Sequence, residues 1–339
     1  MTTHALPLPE LIERFRAKRV LVVGDLMLDE FVWGKVSRIS PEAPVPVVSV
    51  SAQSYYPGGA ANVARNLREF TEHVAVMGLL GNDLHAEILK GLLSAQDIGL
   101  DGVQQSDEYQ TIVKTRIIAR QQHIVRVDRE TAFVPDPDCH ARALARFEAM
   151  LPDLDAVIVE DYAKGFLVQG FVDQLGALAR RAGKIVTVDP NPRNDLRWSG
   201  VTAVKPNRAE AFHVAGCPSA EVTEPPETDP ALRSAAARLL EKWDTEMLLI
   251  TLGELGMLLF RRGLPPYPAA PSFHEVFDVS GAGDTAIALF TLALAAGAPP
   301  EQAAEVANHA SGVVVGKLGT ATLTPAELLE SFDGPPPRG

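Results

Sequence analysis

Short apolar runs recur along the chain, each separated from the next by an amphipathic stretch, and this alternation restricts the possible folds more than any other feature. Residues 20–23, 74–80, 156–159, 185–188 and 247–251 are nearly continuous in apolar side chains, whereas 83–95, 138–150, 169–182 and 230–243 alternate at helical spacing. A strand without polar alternation is buried on both faces, which requires helices on both sides of a mostly parallel sheet. The expectation is therefore an α/β chain. At 339 residues and 46% hydrophobic composition it can close one large core, so a single domain over 1–339 is expected.

Two stretches depart from the alternation. Residues 30–51 and 109–128 are rich in β-branched side chains with polar neighbours, as in half-exposed strands. They are expected to form a small second sheet, a lid over the carboxyl edge of the main sheet, where α/β folds bind ligands. A pair of ordinary edge hairpins is the alternative. Residues 217–229 read as a polar, Pro-rich surface loop and 335–337 as a frayed tail. Residues 283–296 and 300–316 are Ala-rich and helical, with Gly297 closing the first.

The net charge of −12 and pI near 5.2 argue against a nucleic-acid partner, which needs a basic face. They leave room for a small phosphorylated ligand held by a few local cations. Cys139 and Cys217 fall into no metal-binding spacing. The amino-terminal residues lack the apolar stretch of a signal peptide, and no run of about 18 apolar residues could span a membrane. A cytoplasmic protein is expected.

The most informative segment is Asp278-Val279-Ser280-Gly281-Ala282-Gly283-Asp284-Thr285, directly before an apolar helical run. Glycines let the backbone approach an anion, and a helix start offers unpaired N–H groups and partial positive charge. Asp284 beside such a hole could take a proton from a hydroxyl while the amides of Ala282 and Gly283 face the charge on a transferred phosphoryl group. A tight turn followed by an acid at a helix start gives the same local pattern. No GxxxxGK[ST] loop, protein-kinase HRD or DFG pair, HExxH, GxSxG or GxGxxG fingerprint occurs.

SGAGDT before an Ala-rich helix resembles the carboxyl-terminal signature of the ribokinase-like (PfkB) carbohydrate kinases, and Gly58-Gly59-Ala60-Ala61-Asn62 resembles their amino-terminal GG-x-x-N signature. The likeness covers roughly residues 18–328. Within the family it is closest to the D-glycero-β-D-manno-heptose 7-phosphate kinases, through residues 22–48 with SRISPEAPVP, 57–67, EDYAKG at 160–165 and GVVVGKLGTAT at 312–322.

The resemblance implies a ribokinase-like fold and residue roles. Asp29, Gly58, Gly59 and Asn62 match sugar-binding positions. Arg38 and Lys164 are candidates for a phosphate already on the substrate, with Asp161 facing the sugar or orienting Lys164. Asn207 and Glu210 match an N-x-x-E element in which Glu210 organises Mg²⁺, often through water. A capping box built on Asn207 explains the same spacing locally. Thr251, Gly253 and Gly256 resemble a nucleotide-phosphate loop, and Asn308 a position near adenine. Gly281, Ala282, Gly283 and Asp284 match the catalytic segment, and K⁺ is implied near it, with backbone around Asp278 and Gly319 as donors.

Two departures are evident. Ser280 stands where the heptose kinases carry Thr, and Asn191-Pro192-Arg193-Asn194 follows Asp189-Pro190 where relatives continue with Lys-Gly, so Arg193 is a candidate replacement for that lysine. The implied reaction is ATP- and Mg²⁺-dependent phosphorylation of the heptose 7-phosphate to the 1,7-bisphosphate, in lipopolysaccharide core synthesis. Adenylyl transfer is then expected from a separate protein. Rival readings are a kinase of a fructose phosphate or a pentose, and a non-catalytic sugar or nucleotide sensor. Apolar outer faces of the lid strands point to a homodimer.

Overall fold

The computed structural model describes residues 5–333 except 120–121, 132, 134, 219–222, 224, 272–276 and 318. The expected frayed tail at 335–337 lies outside the described residues, as do parts of the expected lid and of the 217–229 loop.

The apolar runs form the middle of a nine-stranded sheet. Its strands are β1 (Arg19–Gly24), β4 (His73–Gly81), β5 (Gly99–Ser106), β8 (Ala156–Glu160), β9 (Ile185–Asp189), β10 (Ala203–Val204), β11 (Met247–Thr251), β12 (Met257–Arg261) and β13 (Tyr267–Ala269). The order is β13-β12-β11-β10-β9-β8-β1-β4-β5, and only the pairings of β12 and β13 are antiparallel. Both faces are dry, as the sequence requires. Val20 and Val22 of β1 join one core with α1 (Leu8–Phe15), α2 (Ala60–Arg68), α3 (Leu84–Ser94), α8 (Ala282–Ala295), α9 (Pro300–Val315) and α10 (Pro325–Asp333). Leu21 and Val23, pointing the other way, join a second core with α4 (Pro137–Met150), α5 (Gln169–Arg181), α6 (Arg208–Val214) and α7 (Pro230–Lys242). Helices α1, α2 and α10 and strands β5, β10, β12 and β13 were not read from the sequence.

Helix starts follow local chemistry. Asp83, Asp136 and Asp229 each accept a backbone N–H from the first turn of α3, α4 and α7. Helix α8 has no such cap and begins at Gly281, whose φ of 83° only glycine adopts cheaply. It is buried nearly all round, which explains why its sequence is apolar without a polar stripe.

The second sheet has the order β3-β2-β6-β7, from β2 (Leu26–Ile39), β3 (Pro46–Gly59), β6 (Ile112–Ala119) and β7 (Gln122–Arg129). Strands β2 and β3 are longer than the expected 30–51 stretch, because β2 leaves β1 almost directly and β3 runs into α2. Their extra length places Asp29 beside the Gly58 turn, with Asp29 opposite Tyr56 and Met27 opposite Gly58. The base of β2 is buried in the main body while its far end is exposed, so the sheet projects from the molecule. The whole is the expected α/β architecture with a small second β sheet.

Candidate active site

The glycine-rich turn at 58–62 and the carboxylate at 284, over two hundred residues apart in sequence, meet where the second sheet joins the main body. Gly59 has φ +56°, and a Cβ there would lie 2.6 Å from the Asp25 carbonyl. A Cβ on Gly58 would lie 2.6 Å from Asp29 Oδ2, so the missing side chain makes room for that carboxylate. The turn delivers Asn62 into α2, where its Nδ2 donates to Asp284 Oδ2 at 2.6 Å. Tyr162 donates its hydroxyl to the other oxygen, Oδ1, at 2.9 Å. One turn further, Thr285 Oγ1 donates to Asn66 Oδ1 at 2.8 Å, and Asn66 Nδ2 donates to the Asn62 carbonyl at 2.9 Å. Helices α2 and α8 are thus joined by two buried polar rungs.

A cleft of about 610 Å³ opens beside Asp284, walled by Glu160, Asp161, Tyr162, Asp189, Lys205, Asn207, Glu210, Thr251, Gly253 and Gly283 among others. Gly283 faces Lys205: a Cβ there would lie 3.5 Å from Lys205 Nζ. The amide of Ala282, expected to face the phosphoryl group, donates instead to the Val279 carbonyl at 3.3 Å. Asn207 and Glu210 form the capping box, with Asn207 Oδ1 accepting from Glu210 N at 2.9 Å and Glu210 Oε2 accepting from Asn207 N at 2.8 Å. Glu210 also borders the cleft, so the capping geometry aims the residue that the resemblance assigns to Mg²⁺. Its oxygen donors, with those of Asn207, suit a hard cation that keeps most of its waters.

A second, smaller cavity of about 300 Å³ lies on the far side of Tyr162. Lys114, Arg126, Lys164 and Arg193 line it, with Asp128, Glu130 and Glu210. Lys164 Nζ pairs with Glu130 at 2.7 Å, and Arg126 makes two bonds to Asp128 at 2.8 and 3.0 Å.

The electrostatics of the main cleft are dominated by carboxylates. Oxygens of Glu160, Asp189 and Asp284 lie within 4.8 Å of one another. Lys205 Nζ sits 2.8 Å from Asp189 Oδ2. Burial opposes its charge, yet Asp189, Glu160 and Glu210 outweigh that and hold its pKa above the ordinary value. Burial pushes the Asp284 carboxyl up, and the Asp189 charge adds to this; donation by Asn62 and Tyr162 and the Lys205 charge work against it, leaving about 6. Burial also raises Glu160, helped by Asp189 and Asp284. Asp161 is raised to about 7, again by burial first, although Ala163 N and Asn194 Nδ2 donate to its Oδ1.

Several expected residues have other places or other partners than expected. Arg38 is exposed near the far end of β2, opposite Val47, and lines neither cavity. The strand that carries it projects outward, whereas Arg193 is in the second cavity. Asp161 does not pair with Lys164, whose partner is Glu130; its carboxylate instead fixes the turn at Ala163, which has φ +56°. Asp29 pairs with Arg116. Asn308 is buried rather than on a solvent face, and its Nδ2 donates to the Ala270 carbonyl at 2.6 Å. Gly256, with φ +80°, shapes the turn before β12 and does not line the cleft. Asp278 accepts from Ser280 N at 2.9 Å and Gly319 N at 3.1 Å, joining the two loops named for the cation. Tyr162, Asp189, Lys205 and Lys114 were not singled out from the sequence. Tyr162 lies in the EDYAKG stretch and Asp189 heads the departure at 189–194, though neither was given a role there; Lys205 left a signal of its own, a lysine directly after a buried strand, where burial demands an acidic partner.

The sequence profile described as pfkB family carbohydrate kinase matches residues 17–327. The chain belongs to this family. A curated relative named bifunctional protein HldE from Desulfatibacillum aliphaticivorans is 40% identical over 326 residues, 96% of this chain and 65% of that protein. The protein of the same name from Vibrio atlanticus (strain LGP32) is 44% identical over 318 residues, covering 93% of this chain and 63% of its own length. The chain therefore spans somewhat less than two thirds of these relatives. Among solved structures, Arabidopsis thaliana ribokinase complexed with ribose and ATP matches with TM-score 0.68 at 20% identity, over 94% of this chain and 99% of that one. Escherichia coli phosphofructokinase-2 in complex with potassium matches with TM-score 0.72 at 18% identity, over 93% and 98%. At such identities these structures speak to the fold alone. Among the described residues no helix is long and apolar enough to cross a membrane.

With the carboxyl held at about 6, the expected role of Asp284 as proton acceptor predicts that activity of this PfkB chain falls about tenfold per pH unit below that value and levels off above it. A pH profile of kcat/KM checks this; a flat profile down to pH 4.5 would separate the limb from Asp284.

Proposed function

We propose that the chain transfers the γ-phosphoryl group of ATP to the anomeric hydroxyl of D-glycero-β-D-manno-heptose 7-phosphate, giving the 1,7-bisphosphate for lipopolysaccharide core synthesis. The observation that carries the reading is the buried bond between Asn62 and Asp284 beside the cleft that Gly283 and Tyr162 line, with a second cavity next to it that gathers Lys114, Arg126, Lys164 and Arg193. The heptose itself is supported by the distinctive SRISPEAPVP stretch and by 40–44% identity to proteins named HldE.

In this reading Asp29 and the Gly58–Gly59 turn bind the sugar hydroxyls, and Asn62 holds the Asp284 carboxylate toward the acceptor. Asp284 takes the hydroxyl proton as the oxygen attacks. Lys205, Thr251 and Gly253 border the path of the triphosphate, with Gly283 at the positive start of α8. A Mg²⁺ held through Glu210 would supply charge neutralisation to the phosphates. Asp284→Asn should lower kcat by on the order of 10² to 10⁴ with nucleotide binding retained, as measured by coupled ADP release and calorimetry. Turnover near that of the unaltered enzyme would remove Asp284 from this role.

The phosphate already on the sugar is assigned to the second cavity, to Lys164, Lys114 and Arg193. Arg193 there takes the part of the lysine that relatives carry nearby. Lys164→Met should raise KM for the sugar phosphate by about 10- to 100-fold, the scale of one charge-assisted contact, while KM for ATP stays within about twofold. Equal changes for a phosphorylated and an unphosphorylated sugar would contradict the assignment. A panel including fructose phosphates and pentoses tests the heptose itself.

The reading extends to a homodimer. Trp33, Ile39, Val45, Val50, Val125 and Val127 are exposed apolar side chains of the second sheet and its β2–β3 connection, and every residue of β7 is exposed. A second copy would cover them. Light scattering should give twice the chain mass; a monomer at all concentrations would refute it.

A further inference from the structure

Tyr162 occupies a position that neither motif describes. It lies two residues past the end of β8 and lines both the main cleft and the second cavity. Its backbone is fixed from below: Asp25 Oδ2 accepts from Tyr162 N at 3.0 Å and from Lys164 N at 3.1 Å. Asp25 also accepts the Ala60 amide on its carbonyl at 3.2 Å, so one buried residue ties the sugar-side turn to the Tyr162 loop. On the cavity side, Lys114 Nζ stands 4.9 Å from the ring centroid, within cation–π range. At the far end of the ring, the hydroxyl donates to Asp284 Oδ1 at 2.9 Å.

We propose that Tyr162 is a positioning residue for the reaction: with Asn62 on the opposite oxygen, it fixes the rotation of the Asp284 carboxylate so that its remaining lone pairs face the acceptor hydroxyl. A carboxylate on a short side chain turns freely about its last bond unless both oxygens are engaged. Asn62 holds Oδ2 and Tyr162 holds Oδ1, so neither alone defines the plane. The direction of the bond is fixed as well. Burial pushes the phenol well above its ordinary pKa, and Asp284 and Glu160 add to this, so the hydroxyl remains a donor at neutral pH. The proton released by the sugar therefore goes to Asp284, and Tyr162 neither gains nor loses one over the cycle.

The assignment rests on the reading of Asp284 as the base, and its test separates the two. Tyr162→Phe keeps the ring, its packing and the Lys114 contact and removes only the donor. We expect kcat to fall about 10- to 100-fold, with KM for ATP and for the sugar phosphate within about threefold. In an Asp284→Asn background the same change should cost less than about twofold, because a residue that acts through Asp284 has nothing left to orient. A further loss in that background equal to the loss in the unaltered enzyme would overturn the proposal, as would a Tyr162→Phe enzyme with undiminished kcat. Crystal structures of the unaltered protein and Tyr162→Phe supply a readout that needs no turnover. The carboxylate should turn away from its original plane in the variant; an unchanged Asp284 orientation would overturn the proposal even if no sugar were phosphorylated. Absence of any sugar kinase activity in the unaltered enzyme would instead count against the proposed function.

Discussion

The junction of α2 and α8 is the constraint on which the site depends. Two side chains of α2 one turn apart, Asn62 and Asn66, bond to adjacent residues of α8, Asp284 and Thr285, with apolar packing around them. Buried polar groups of this kind are costly unless matched, so the pairings admit one register of the two helices. That register sets where the Gly58–Gly59 turn stands relative to the start of α8. It thereby fixes the distance between that turn and the Asp284 carboxylate.

The second organising feature is the concentration of acids around one lysine. Glu160, Asp189 and Asp284 share a small volume, and the ammonium of Lys205 lies against Asp189. Folding holds these carboxyls above their unfolded pKa values, so the native state keeps protons that the unfolded chain has lost. For Asp189 and Asp284 that part of the stability is full below about pH 4 and is lost as pH rises through about 6. The same shift places Asp284 in the range where a carboxylate is both ionised at neutral pH and basic enough to accept a proton. Stability and reactivity therefore pull in opposite directions at this residue.

The relation to other PfkB chains has two parts. The fold is shared with ribokinase and phosphofructokinase-2 at 18–20% identity, which shows how little of the sequence the architecture requires. The side chains that line the two cavities are this chain's own. Here the second cavity gathers Lys114, Arg126, Lys164 and Arg193 in a chain of net charge −12, so the cations are concentrated against the global trend.

The sequence by itself determined whatever is enforced between near neighbours. Continuous apolar runs between helical stretches required a sheet covered on both faces, Gly281 and Gly59 marked turns with positive φ, and Asn207 three residues before Glu210 specified a capping box. Segment 281–284 was legible for the same reason, since backbone conformation is set by adjacent residues, whereas 58–62 was legible through its resemblance to a family signature. The tertiary structure alone decided which distant side chains meet. Tyr162 lies within the EDYAKG stretch and Lys114 within a strand, but nothing local distinguishes either, because where their side chains stand follows from strand order and from the angle at which the second sheet leaves the main one. Arg38 and Arg193 were indistinguishable as cations in sequence; only the outward projection of β2 puts the first outside both cavities, while the loop after β9 brings the second within one. Convergence depends on long-range packing, and packing energy is spread over too many residues to be read from any one of them.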